Sequence, residues 1–241
     1  MENKHKVYNL IILDESGSMQ SIKKTIINGF NEVLQTIKAV AIKFPEQEHY
    51  ITMITFNSMG IKTIHENINV EAVNQIDEQS YTPNSGTPLF DAMGFGITKL
   101  RILTENEKEY NVLVTILTDG AENASKEYNG KSIKALVDEF KLKNWTFTYI
   151  GANHDVERFA DSLSINNVMR FETEEEDIQR MFMQERNSRM MYSQKIRNNE
   201  NTMNGYFDND DYSKENTDGE KVTDEKNVTE KKSLWEKIFG K

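Results

Sequence analysis

The residues of this chain best suited to chemistry are oxygen donors at the ends of apolar segments. Val7–Leu13 (VYNLIIL) is a strand-forming run, and it leads straight into Asp14-Glu15-Ser16-Gly17-Ser18. A buried strand therefore delivers a carboxylate and two hydroxyls to one tight loop. Those are hard ligands, suited to Mg²⁺, Mn²⁺ or Ca²⁺ rather than to soft metals. A second apolar run, Asn111–Leu117 (NVLVTIL), ends in Thr118-Asp119-Gly120, which puts another carboxylate at a strand end. Ser85-Gly86-Thr87 adds hydroxyls in a glycine-containing loop just before a helix.

Rival chemistries leave fewer traces. A Mg²⁺ phosphotransferase of the haloacid dehalogenase type needs D-x-D after its first strand, and Ser16 stands where the second Asp belongs. A receiver domain needs a lysine at the end of a later strand, and WTFTYIGAN offers none. Neither a phosphate-binding G-x-x-x-x-G-K-[ST] loop nor a G-x-S-x-G nucleophile elbow occurs. His5, His49, His65 and His154 are scattered, without H-x-x-x-H spacing. His154-Asp155 falls on the ligand edge, but Asp155 is better placed to cap the next helix.

The segments that must position these residues alternate between strand and helix. Val7–Leu13 is the first strand, and Ser21–Phe44 carries apolar residues on a helical period up to Pro45. His49–Phe56 reads as the second strand, with a short edge hairpin at Ile61–His65. A helix from Pro88, the strand Asn111–Leu117, a helix at Ser132–Lys143 and the strand Trp145–Ile150 follow. A short helix at Val156–Ser162, a strand at Asn167–Phe171 and a long helix to Arg197 complete the series. The acidic run Glu172–Asp177 opens that last helix, where negative charge suits the helix dipole. Its methionines (Met181, Met183, Met190, Met191) read as packing against the sheet. This order predicts an α/β fold, doubly wound, with a mainly parallel central sheet, one antiparallel edge strand and helices on both faces. Ligands in such folds bind at the carboxyl ends of the strands, where Asp14 and Asp119 both fall.

The 241 residues carry a formal charge of −10, with 37% hydrophobic and 28% charged residues. An acidic chain without a basic stripe is a poor partner for nucleic acid or an anionic membrane. The lack of cysteine rules out disulfides and thiolate metal sites. No signal-peptide pattern and no membrane-length apolar run appear, so a cytoplasmic protein is expected. We expect a domain at residues 1–199, a polar disordered linker at 200–232 and a short amphipathic motif at 233–241. In that motif Trp235 and Phe239 are candidate anchors for docking on another protein.

Three loops in this order, D-x-S-x-S, S-G-T and T-D-G, resemble the metal-ion-dependent adhesion site of von Willebrand factor type A domains, over most of Val7–Phe171. The resemblance implies a metal held by Asp14, Ser16, Ser18, Thr87 and Asp119, with Asp91 packing or hydrogen-bonding behind them. Two carboxylates cancel the charge of a divalent ion, and the neutral hydroxyls add ligands without charge. Family pattern implies Mg²⁺, or Mn²⁺ or Ca²⁺ in its place, and a protein partner that supplies Glu or Asp to the metal. The insert-free body further resembles stand-alone bacterial domains of stress and tellurite-resistance systems. Glu15 is expected on the solvent side of the loop. Two alternatives stay open: a metal-dependent hydrolase or phosphotransferase at the same edge, or a scaffold with a vestigial metal site.

Overall fold

In the computed structural model, which describes residues 4–208, the chain runs β1 (His5–Asp14), a 3₁₀ turn (Gly17–Ile22), α1 (Lys23–Lys43), β2 (Gln47–Asn57) and β3 (Gly60–Asn69). It continues through α2 (Leu89–Thr104), β4 (Tyr110–Thr118), α3 (Gly130–Lys141), β5 (Trp145–Gly151), α4 (Val156–Ser162), β6 (Asn167–Arg170) and α5 (Glu175–Arg197). The sheet order is β3-β2-β1-β4-β5-β6. Every neighbouring pair is parallel except β2 with β3. The doubly wound sheet with one antiparallel edge is therefore as expected. The edge strand runs on to Asn69, and α1 starts at Lys23, because residues 17–22 are spent on the 3₁₀ turn.

The unbroken apolar run of β1 has a simple cause: helices cover both faces of the sheet. Ile11 and Leu13 join a core with α1 and α5, while Leu10 and Ile12 join another with α2, α3 and α4. After β1 the chain passes to α1 on one face, and after β4 it passes to α3 on the other. The loops leaving these adjacent strands meet at their carboxyl ends, the edge where such folds bind ligands.

Helix α5 seats on the sheet through a polar band. Arg189 pairs with Glu185 at 2.8 Å, donates from Nη1 to Asn9 Oδ1 at 2.9 Å and from Nη2 to Thr115 Oγ1 at 2.8 Å, all buried. The expected methionine packing divides: Met181 is buried, whereas Met183 and Met191 are exposed. Gly29 of α1 is where α5 comes closest, since a Cβ there would fall inside the Phe182 ring. The packed chain also carries on past residue 199. Tyr206 is buried and its N–H bonds Asn167 Oδ1, and Thr146 Oγ1 donates to the Thr202 carbonyl. Two aromatics, Tyr206 and Phe207, give this polar stretch enough apolar surface to pack. The rest of the expected linker and the Trp235–Phe239 motif lie outside the described residues.

Substituting Gly29→Ala should overpack the α1–α5 contact and destabilise the fold by about 1–3 kcal/mol in urea melts. Burial, with Arg189 and His5 nearby, lowers the His49 pKa from 6.5 to about 4. The unfolded chain takes up this proton first as pH falls. Stability should therefore decline between pH 6.5 and 4 by up to a few kcal/mol. His49→Gln should lose that part of the acid dependence in melts compared across the same window.

Candidate metal centre

The site begins where β1 ends. Asp14 is fully buried, and its two oxygens accept from different elements: Oδ1 from the Ser16 N–H at 2.7 Å, Oδ2 from Thr118 Oγ1 at 2.6 Å. Thr118 is the last residue of β4, so one hydrogen bond ties the two strand ends together. The Tyr81 hydroxyl donates to the Asp14 carbonyl at 2.6 Å. Met19 and Ile22 bury their side chains under the 3₁₀ turn and so anchor the loop that carries Ser16 and Ser18. Ser18 Oγ donates to Asp119 Oδ1 at 2.6 Å and lies 3.2 Å from Ser16 Oγ. A hydroxyl has one hydrogen, so Ser16 is the donor in that second contact. Ser18 keeps a lone pair for a cation.

Thr87 is brought in by backbone pairing. Its N–H donates to Asn123 Oδ1 at 2.9 Å, and the Asn123 N–H donates to the Thr87 carbonyl at 3.1 Å. The first and second loops touch at Gly17, whose N–H donates to the Ser85 carbonyl at 2.9 Å. At Gly120 a Cβ would stand 3.4 Å from Thr87 Oγ1 and 3.8 Å from Ser18 Oγ. Hydroxyls from two loops thus face the bare backbone of a third. Asp14, Ser16, Ser18, Thr87 and Asp119 all come to this crevice. Asp91 does not reach it. Its carboxylate accepts from the N–H groups of Lys126, Glu127 and Tyr128 and holds the loop after β4.

Glu15 corrects an expectation. It is fully buried instead of facing solvent. Oε2 accepts from Thr55 Oγ1 at 2.8 Å, and Oε1 accepts from Lys62 Nζ at 3.0 Å and from both N–H and Oγ1 of Thr82. Alternation of side chains holds only inside a strand, and Glu15 lies one residue past its end. Asn123, Thr118 and Tyr81 were likewise missed as supports. Only Thr118 had a local signal, its place before Asp119. Asp155 caps α4 as expected, accepting from the Arg158 N–H at 3.2 Å.

The electrostatics favour a cation. Burial raises the Asp14 pKa to about 6, and the neighbouring Asp119 adds to the rise. Burial also raises Asp119, against the lowering effect of the Ser18 hydrogen bond. Two carboxylates brought together out of water repel each other, and a divalent ion supplies the missing charge. Among the described residues no group of three or more His, Cys, Asp or Glu clusters as a metal site. The donors here are two carboxylates and three hydroxyls, a hard oxygen set that fits Mg²⁺ or Mn²⁺. Mn²⁺ at about 100 times its dissociation constant should stabilise the protein by about 2.7 kcal/mol, or roughly 5–10 °C in Tm. Asp14→Ala and Asp119→Ala should each abolish that shift in thermal melts with and without metal.

Comparison with known proteins agrees with this fold. The sequence pattern of the von Willebrand factor type A domain matches residues 10–191. The minor pilin PilB of Streptococcus sanguinis superposes with a TM-score of 0.56 at 14% identity, over 81% of this chain and 64% of the pilin. The pilus adhesin SpaC of Lactobacillus rhamnosus GG, in its open conformation, gives 0.57 at 12% identity, over 79% of this chain and 30% of the adhesin. Proximal thread matrix protein 1 of the mussel byssus gives 0.52 at 16% identity, over 76% and 47%. At these identities the likeness is one of fold, and the chain spans less than two thirds of each of these longer proteins. No curated protein is significantly similar in sequence. The match spans most of the chain and includes the whole loop constellation: the protein belongs to the von Willebrand factor type A domain family.

Proposed function

We propose that this protein is a divalent-metal-dependent protein-binding module. Asp14, Ser16, Ser18, Thr87 and Asp119 would hold the ion, Mg²⁺ or in its place Mn²⁺ or Ca²⁺. A Glu or Asp of a protein partner would complete its coordination. The observation that carries the reading is the Ser18–Asp119 hydrogen bond at 2.6 Å beside the Gly120 backbone, with Thr87 Oγ1 facing the same point. A hydroxyl that gives its hydrogen to a carboxylate turns its lone pairs outward. Three neutral donors leave a bound ion electrophilic enough to attract an incoming carboxylate. Domains of this family generally serve as metal-dependent interaction modules.

A binding role is favoured over catalysis by the state of His154. His154 lies close enough to Asp119 to influence its charge, yet both its ring nitrogens are engaged, one by the Ala152 carbonyl and one by the Tyr149 hydroxyl. The reading extends to a cytoplasmic, bacterial stress-associated setting and to a second protein contact through Trp235 and Phe239. These extensions rest on the sequence alone. Among the described residues no helix is long and apolar enough to cross a membrane.

The test is fluorescence polarisation with a library of Glu- and Asp-containing peptides and their Gln and Asn counterparts. Binding should appear with Mg²⁺ only for carboxylate peptides. It should weaken at least about tenfold with chelator or in Asp119→Ala, on the scale of a lost charged contact. Binding that ignores both metal and carboxylate would overturn the reading. So would phosphoester turnover that disappears in Asp14→Ala and Asp119→Ala.

A further inference from the structure

Glu15 sits between two candidate ligands, and its side-chain bonds run to three other segments. Thr55 belongs to β2, Lys62 to the edge strand β3, and Thr82 to the loop that leads to Thr87. The backbone repeats the pattern. The Glu15 N–H donates to the Phe56 carbonyl at 2.8 Å, and the Asn84 N–H donates to the Glu15 carbonyl at 2.9 Å. Lys62 also donates to Thr82 Oγ1 at 3.2 Å, so it grips both the carboxylate and the loop that the carboxylate holds.

We propose that Glu15 and Lys62 are positioning residues of the metal centre, their ion pair setting the distance between the first loop, with Ser16 and Ser18, and the second loop, with Thr87. This rests on the metal-binding reading above and deepens it. Besides the Asn84 N–H to the Glu15 carbonyl and the Gly17 N–H to the Ser85 carbonyl, the second loop is tied at Gly86 and at Thr82. At Gly86 the tie is neutral: the Gly86 N–H donates to Ser58 Oγ at 3.0 Å, and the Ser58 N–H donates to the Gly86 carbonyl at 3.0 Å. At Thr82 it depends on charge. Only four residues separate Thr82 from Thr87, and Pro83 and Pro88 restrict the backbone at each end of that span. A shift at Thr82 therefore reaches Thr87 with little slack.

The two members of the pair differ in exposure: Lys62 is 49% exposed, and Glu15 is not exposed at all. Without that cation Glu15 keeps only the neutral donors of Thr55 and Thr82, and its buried charge is left poorly compensated. A shift of the carboxylate would disturb its bonds to Thr82 and so the second loop. The half-exposed ammonium is thus the accessible end of a connection that ends at the ligands. Glu15 itself lies in the first loop and takes two of its donors from the loop that carries Thr87.

The experiment compares Lys62→Met with Lys62→Arg in the full 241-residue chain. Lys62→Met keeps the aliphatic stem, and Lys62→Arg keeps the charge. Mn²⁺ affinity is measured by calorimetry at a temperature where each metal-free protein is folded. Deuterium uptake at residues 81–87 is followed in the same metal-free samples. Lys62→Met should bind Mn²⁺ about tenfold more weakly, with faster uptake at 81–87, and Lys62→Arg should restore both. Lys99→Met, which breaks the Lys99–Glu66 pair at 3.0 Å on the same edge strand, should leave both near wild type. Wild-type affinity in Lys62→Met, or equal weakening in Lys62→Met and Lys62→Arg, overturns the proposal and leaves the metal reading standing. Failure of the wild type itself to bind Mn²⁺ overturns both.

Discussion

Two carboxylates held out of water at adjacent strand ends are the constraint on which this structure turns. Asp14 and Asp119 close β1 and β4, which lie side by side and point the same way. Burial pushes both toward the protonated form, and their proximity makes this worse for Asp14. The surroundings answer with hydroxyl and backbone donors: Thr118 and the Ser16 N–H on Asp14, Ser18 on Asp119. Hydrogen bonds of this kind keep the carboxylates in place without neutralising them. What remains is a net negative, oxygen-lined crevice that suits a small hard cation.

The fold supplies the crevice through its winding, and the loops supply the ligands through close backbone approach. Because α1 and α3 leave on opposite faces, the loops after β1 and β4 meet at the strand ends, where Asp14, Ser16, Thr87 and Asp119 are buried and Ser18 is exposed. At Gly17 and Gly120 the three loops come within contact of one another. Asn123, Asp91 and Glu122 then hold the third loop and the start of α2 by their backbone N–H groups. Most of these supports are polar side chains capping backbone groups, which is how irregular loops can be buried without unpaired donors.

The middle of the sheet, under α5, shows the same economy in another form. The polar seat of α5, built on Arg189, Glu185, Asn9 and Thr115, fixes the helix by geometry where apolar packing would allow it to slide. A buried ion pair of this sort contributes little net stability, but its loss would strand a charge. His49 beside it stays neutral for the same reason of burial.

Local sequence determined the elements and the ligand types. Continuous apolar runs marked the doubly covered strands, because both faces of β1 and β4 are packed, and the D-x-S-x-S, S-G-T and T-D-G segments marked the strand ends and their oxygen donors. The same information was insufficient for Glu15, whose partners Thr55, Lys62 and Thr82 lie 40 or more residues away. It also misjudged residues 200–208, where two aromatics find a pocket that only the folded sheet provides. Tertiary structure alone decided which hydroxyl gives its hydrogen to Asp119, that Asn123 holds Thr87, and that Asp91 serves a loop instead of the crevice. The reason is that a residue's type is a local property, while the partner that completes a buried charge or an unpaired N–H is chosen by which distant segments the winding of the sheet sets side by side.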